Sequence, residues 1–148
     1  MQEINSMEMK YPIIIISGMY IKGYDKSTSK INKSNLYAYT KGFYHNLKIY
    51  DSIGNEWSVG EVISKYPINI WTKLLANTFY NPKMEVDLKW KEPKQFMYSD
   101  LQDTITKIIE KDDDIYTQYI NHDKLIKLIS ESKSFKELFE NLKNKKII

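Results

Sequence analysis

Strand-like and helix-like periodicity occupy different parts of this chain, and that segregation limits the folds open to it. Up to Trp90, one short stretch near 69–79 excepted, the apolar residues recur at every second position or in short β-branched runs, whereas from Ser99 onward they recur at every third or fourth. A parallel βαβ fold would interleave the two patterns. Strands followed by helices specify an α+β domain: an antiparallel sheet of about four to five strands in the N-terminal two-thirds, with the C-terminal helices packed on one face. With 148 residues and no linker-like stretch, residues 1–148 read as a single domain long enough to bury a core.

The strand signals differ in kind. Four consecutive isoleucines, Ile13 to Ile16, sit within an apolar run over 11–21. Such a run predicts a strand covered on both faces, because β-branched side chains fit a pleated surface. Residues 22–35 are polar and rich in turn formers and read as a loop. Alternation then predicts a strand over 36–50: Leu36, Ala38 and Thr40 stand opposite Tyr37, Tyr39 and Lys41, and Leu47 and Ile49 stand opposite Lys48 and Tyr50. The turn formers of 51–55 reverse the chain into a strand over 56–65 with Trp57 and Val59. Trp71, Leu74, Leu75, Thr78 and Phe79 recur at helical spacing, with Asn69 as the cap, and predict a short helix over 69–79. The cleanest strand is 84–91, where Met84, Val86, Leu88 and Trp90 alternate with Glu85, Asp87, Lys89 and Lys91.

In the last third, Ser99 and Gln102 form a capping box for a helix over 99–110 with Leu101, Ile105, Ile108 and Ile109 on one stripe. A second helix follows Asp112, Asp113 and Asp114. Asn121 caps a third, carrying Leu125, Ile126, Leu128 and Ile129, and Ser134 with Glu137 opens a final one with Phe135, Leu138, Phe139 and Leu142. The core is expected to include Ile14, Trp57, Val86, Leu88, Leu101, Ile105, Leu125 and Leu138.

Little in the chain points to catalysis. Cysteine is absent, which removes disulfides, thiolate metal sites and a cysteine nucleophile. His45 and His122 lie far apart without companion ligands at metal-binding spacing, and each reads as structural or merely solvated. The three aspartates at 112–114 lack the alternation, the glycine and the closing glutamate of a calcium loop, and read as favourable charge at a helix N-terminus. No nucleophile elbow and no phosphate-cradling glycine cluster occur, and Glu85 with Asp87 reads as an outward strand face rather than a glycosidase dyad. The expectation is a protein that is not an enzyme and takes no cofactor and no metal. The N-terminal apolar run is too short and too poorly led by basic residues for a signal peptide, and no run has the length of a membrane span, so the chain is read as cytoplasmic with no membrane partner.

Two compositional biases bear on partners. All 22 basic residues are lysine, so bidentate guanidinium contacts to phosphate or guanine are closed to this chain. Twelve tyrosines are a large share, and tyrosine supplies broad amphipathic contact where one protein grips another. The stretch Lys22 to Lys48 combines six lysines and one aspartate with Tyr24, Tyr37, Tyr39, Phe43, Tyr44 and His45. Lysine among aromatics is also what a single-stranded nucleic-acid binder uses, and that reading is the alternative. A net charge of only +3 and the lack of arginine weigh against nucleic acid. The residues expected to meet a partner protein are Tyr24, Tyr37, Tyr39 and Tyr44, together with the outward strand face of Glu85, Asp87 and Lys89.

Three stretches carry a family resemblance: the opening YPIIIISGM, the hairpin-like LYAYTKGFYHNLKIYDSIGNEWSV, and the strand NPKMEVDLKW followed by short helices ending in SFKELFENL. In these the chain resembles the immunity proteins of bacterial polymorphic or contact-dependent toxin systems. The resemblance implies a small cytoplasmic protein that binds a cognate toxin domain and blocks it, often by covering its active site. That family has no shared functional residues to place on this sequence. Immunity proteins against nucleases are often acidic, whereas this chain is slightly basic; a nuclease target would require a locally acidic face.

Overall fold

A computed structural model of the protein describes residues 8–27, 30–65, 71, 83–111 and 120–148. The strands are β1 (Ile13–Ser17), β2 (Tyr20–Tyr24), β3 (Lys33–Asn35), β4 (Lys48–Asp51), β5 (Asn55–Ser64), β6 (Lys83–Trp90) and β7 (Lys94–Gln95). The helices among the described residues are α1 (Leu36–Thr40), α2 (Tyr98–Glu110), α3 (His122–Glu131) and α4 (Phe135–Asn144). The fold is α+β, with every strand pair antiparallel and the longer helices at the C-terminal end. The sheet is curled and seven-stranded, in the order β2-β1-β4-β5-β6-β3, with β7 pairing the start of β5. It therefore holds more strands than the sequence pattern counts.

β1 behaves as its four isoleucines demand. Ile14 and Ile16 pack with α2, α3 and α4, whereas Ile13 and Ile15 pack on the other face with Ile49, Trp57 and Val86, and all four isoleucines are buried. The run over 11–21 is not one strand but the start of a hairpin. Ser17 pairs with Tyr20 across a two-residue turn whose first position is Gly18 at φ 59, a backbone setting that favours glycine. β6 alternates as expected: Met84 and Val86 are buried, Leu88 and Trp90 are half-buried, and Glu85, Asp87 and Lys89 are exposed.

The two faces of the sheet are covered differently. One carries α2, α3 and α4 through Leu101, Ile105, Ile109, Leu125, Ile129, Leu138, Phe139 and Leu142. We call it the helix face. β2 comes close to α4 because Gly23 has no side chain: a Cβ there would lie 2.5 Å from Ile148 Cδ1 and 2.7 Å from Phe139 Cε2. The opposite face is covered by the curl of the sheet and by the segment from Ile31 to Leu47, with Tyr44, Trp57, Tyr11, Tyr24, Tyr39, Phe43 and Trp90 clustered there. We call it the aromatic face.

The stretch 36–50 corrects the expectation of one continuous strand. Asn35 Oδ1 accepts a hydrogen bond from Ala38 N at 2.8 Å and caps α1, a single helical turn. Turns over 41–46 follow, aided by Gly42 at φ 83, and only from Lys48 is the chain a strand. Leu-Tyr-Ala-Tyr-Thr contains no strongly polar residue to separate the two periods, so the cap decides. The capping box at Ser99 and Gln102 also fails: α2 begins at Tyr98 with Met97 in the cap position, and the Gln102 amide instead bonds the carbonyls of Ile129 and Ser132. The other two caps form. Asn121 accepts from Asp123 N, and Ser134 from Glu137 N, while Glu137 reaches back to Lys133 N. Apart from Trp71, whose side chain is exposed, the helix expected over 69–79 lies outside the described residues, as do the aspartates at 112–114.

Candidate protein-binding surface

The residues expected to meet a partner occupy three different settings. Tyr37, in the first turn of α1, is 47% exposed, and Lys41 Nζ stands 5.6 Å from the centre of its ring. Tyr24 and Tyr39 are half-buried against the aromatic core. Tyr44 is 2% exposed and belongs to that core, so it is a packing residue rather than a surface contact. Among the described residues its hydroxyl has no partner in good hydrogen-bond geometry; burial raises its pKa, and the nearby Ser34 hydroxyl, as a weak hydrogen-bond partner, opposes this only in part. Burial also raises the pKa of Tyr24, with Tyr20 and Tyr11 adding to it.

Glu85, Asp87 and Lys89 do stand outward on β6, but in ion pairs. Lys65 Nζ lies 3.4 Å from Glu85 and 3.6 Å from Asp87, and Lys89 Nζ lies 3.1 Å from Glu61 on the neighbouring strand. The carboxylates raise the pKa of Lys65, the bond to Glu85 first. Exposed pairs of this kind contribute little to stability, and they leave the face nearly balanced in charge.

Sequence reasoning passed over Met19 and Tyr20, which the β1–β2 turn presents at 40% and 44% exposure. Tyr20 meets Phe43 edge to face at 5.5 Å, Phe43 meets Tyr44 at 5.1 Å, and Tyr44 meets Tyr39 at 6.3 Å. Ser17 Oγ donates to Phe43 O at 2.7 Å and Phe43 N donates to Ala38 O at 3.0 Å. Two hydrogen bonds through Phe43 thus tie the tip of the hairpin to α1, and Met19, Tyr20 and Tyr37 project from a braced scaffold. Glycine at the head of a two-residue turn, with Met-Tyr following, was the available clue.

Elsewhere the polar groups serve the fold. Asp51 is fully buried, and its carboxylate accepts from Ile53 N, Asn55 N and Trp57 Nε1 at 3.2, 2.9 and 2.9 Å. It holds the β4–β5 turn and orients the indole. His122 Nε2 donates to Ile109 O and ties α3 to α2, and His45 is exposed. An open cavity of about 800 Å³ lies beside Tyr98, Gln102, Ser132 and Glu137. Its groups are engaged with one another: Tyr98 OH donates to Ser132 O at 2.8 Å, and Asn141 Nδ2 to Ser132 Oγ at 2.9 Å. Burial, then Glu137, pushes the Tyr98 pKa up to about 12, so this phenol is no general base at neutral pH. Among the described residues no group of three or more His, Asp or Glu side chains is placed to hold a metal ion. Among the same residues no helix is long and apolar enough to cross a membrane.

Compared with protein-family models, with curated proteins and with solved structures, the chain matches no family model, no curated protein and no solved structure.

Proposed function

We propose that this protein acts by forming a stoichiometric complex with another protein, as an immunity protein that binds a cognate bacterial toxin domain in the cytoplasm and neutralises it. The observation that carries this reading is the braced display of Met19, Tyr20 and Tyr37. Large amphipathic side chains on a pre-formed scaffold bind at small entropic cost, and aromatic anchors carry most of the energy of such interfaces. The sequence resemblance supplies the class of partner. Lys41 beside Tyr37 supplies positive charge at the rim, which favours association with an acidic surface and acts mainly on the rate.

Calorimetry of the purified protein against the product of the adjacent gene, at low and high salt, tests the proposal. A one-to-one complex that persists at high salt is the expected result. Tyr37→Ala or Tyr20→Ala should weaken it by about 2 kcal/mol or more if either ring is a central anchor. Lys41→Ala should mostly change the association rate and its salt dependence. No heat with that partner, together with binding to single-stranded oligonucleotides that collapses as salt rises, would replace this reading with the nucleic-acid one.

A further inference from the structure

A cavity of about 390 Å³ opens on the aromatic face, lined among the described residues by Glu8, Met9, Tyr11, Ser27, Trp57 and Trp90. Strand pairing assembles it. Val59 pairs with Trp90 across β5 and β6, which sets Trp90 diagonally across from Trp57. Ser52 bonds the carbonyls of Lys10 and Tyr11 through its backbone N–H and its hydroxyl, which fastens the segment ahead of β1 beside the β4–β5 turn. Three aromatic rings, a thioether and a carboxylate therefore converge from three separate segments of chain, with Ser27 from a fourth.

We infer that this cavity is a binding site for an organic cation, an ammonium or guanidinium head on a short apolar stem. The inference is independent of the toxin reading. Aromatic faces are negative at their centres and attract a cation, most strongly for tryptophan. The Trp57 indole donates its N–H to the fully buried carboxylate of Asp51, so the ring is held in one orientation and an anion lies at its edge. That anion makes the ring face a better partner for positive charge. Glu8 adds a carboxylate at the cavity itself. An anionic ligand would meet Glu8 with Asp51 behind it. A purely apolar ligand would gain nothing from Glu8, which stands exposed at the cavity mouth. A cation satisfies both the rings and the carboxylate.

The test uses ¹H–¹⁵N spectra of the intact chain, following the indole signals of Trp57 and Trp90. The probes are Nα-acetyl-lysine methylamide, Nα-acetyl-arginine methylamide and tetramethylammonium, with Nα-acetyl-norleucine methylamide as the uncharged match. The expected result is a saturable shift of both indoles with millimolar affinity for at least one cation, and binding of the norleucine probe about tenfold weaker. Preference for the lysine or arginine probe identifies a protein side chain as the natural source, and preference for tetramethylammonium identifies a quaternary amine. Glu8→Gln should weaken the cation about three- to tenfold and leave the norleucine probe unchanged. Trp90→Leu should abolish binding while a dispersed Trp57 indole signal reports that the fold is intact. Equal binding of the norleucine probe, unchanged cation affinity in Glu8→Gln, or no saturable shift with any cation overturns the inference.

Discussion

The helix face and the aromatic face share the same strands and solve the problem of burial in opposite ways. On the helix face, isoleucine and leucine from β1, α2, α3 and α4 interlock, and Leu101, Ile105, Leu125, Leu138 and Leu142 are all at most 1% exposed. On the aromatic face, Tyr11, Tyr24, Tyr39, Phe43 and Trp90 remain only partly buried around Ile13, Ile15, Tyr44 and Trp57. Helices offer a regular apolar stripe that closes a sheet surface completely. A curled sheet with short turns leaves gaps, and large rings bridge those gaps without filling them. The division predicts that stability depends more on the helix face, and the display around Tyr20 and the cavity at Trp57 and Trp90 both adjoin the aromatic face.

Paired substitutions test that division most sharply. Ile105→Ala removes side-chain volume from a fully buried site on the helix face and should cost about 2–5 kcal/mol in urea titration. Trp90→Leu, at the half-buried rim of the aromatic face, should cost about 1 kcal/mol, because the site is only partly closed and leucine keeps apolar cover there. Similar losses from both would mean that the aromatic face is as closed as the helix face, and the division would fail.

A smaller effect is expected where β2 meets α4. Gly23→Ala places a methyl group against Ile148 and Phe139 and should destabilise the chain by about 1–3 kcal/mol through overpacking. Adding Ile148→Ala should restore part of that loss, since the nearest clash is with the end of the Ile148 side chain. If the double variant is no more stable than Gly23→Ala alone, the close approach of the C-terminal Ile148 to β2 is wrong.

The smallest effect is in alkaline titration. Tyr50 and Tyr98 both pack with the helix-face core, and burial, aided by Glu56 and Glu137 respectively, pushes each pKa from 10.0 up to about 12. Between those values the unfolded chain releases these protons while the folded chain keeps them. The unfolded state then binds fewer protons, so stability falls as pH rises from 10 to 12 and is unaffected by these groups at neutral pH. Tyr50→Phe should flatten that fall in urea midpoints measured across the range. An unchanged slope would show that Tyr50 is not protected on the helix face.

Much of the scaffold was legible because it depends on local chemistry. Ile13 to Ile16 contain no polar residue to face water, so cover on both sides was required. Met84 to Trp90 alternate so cleanly that only one face can be buried, and Asn121 and Ser134 satisfy helix N–H groups within three residues. Leu36 to Thr40 misled because their aromatic and small residues suit either period, and the outcome turned on the Asn35 side chain. The candidate binding surface was less legible. Tyr37 and Tyr44 look alike in sequence, yet one projects beside Lys41 and the other is a core residue.

The α+β class with its longer helices after the strands, the double cover of β1 and two of the helix caps follow from the sequence alone, since periodicity and capping act between residues at most a few positions apart. Only the tertiary structure decided which tyrosines are surface, that the hairpin bearing Met19 and Tyr20 is tied through Phe43 to the helix bearing Tyr37, and that Glu8, Tyr11, Trp57 and Trp90 share one cavity. Those outcomes depend on strand pairing and sheet curl between distant segments, and the burial of a ring is a property of everything packed around it.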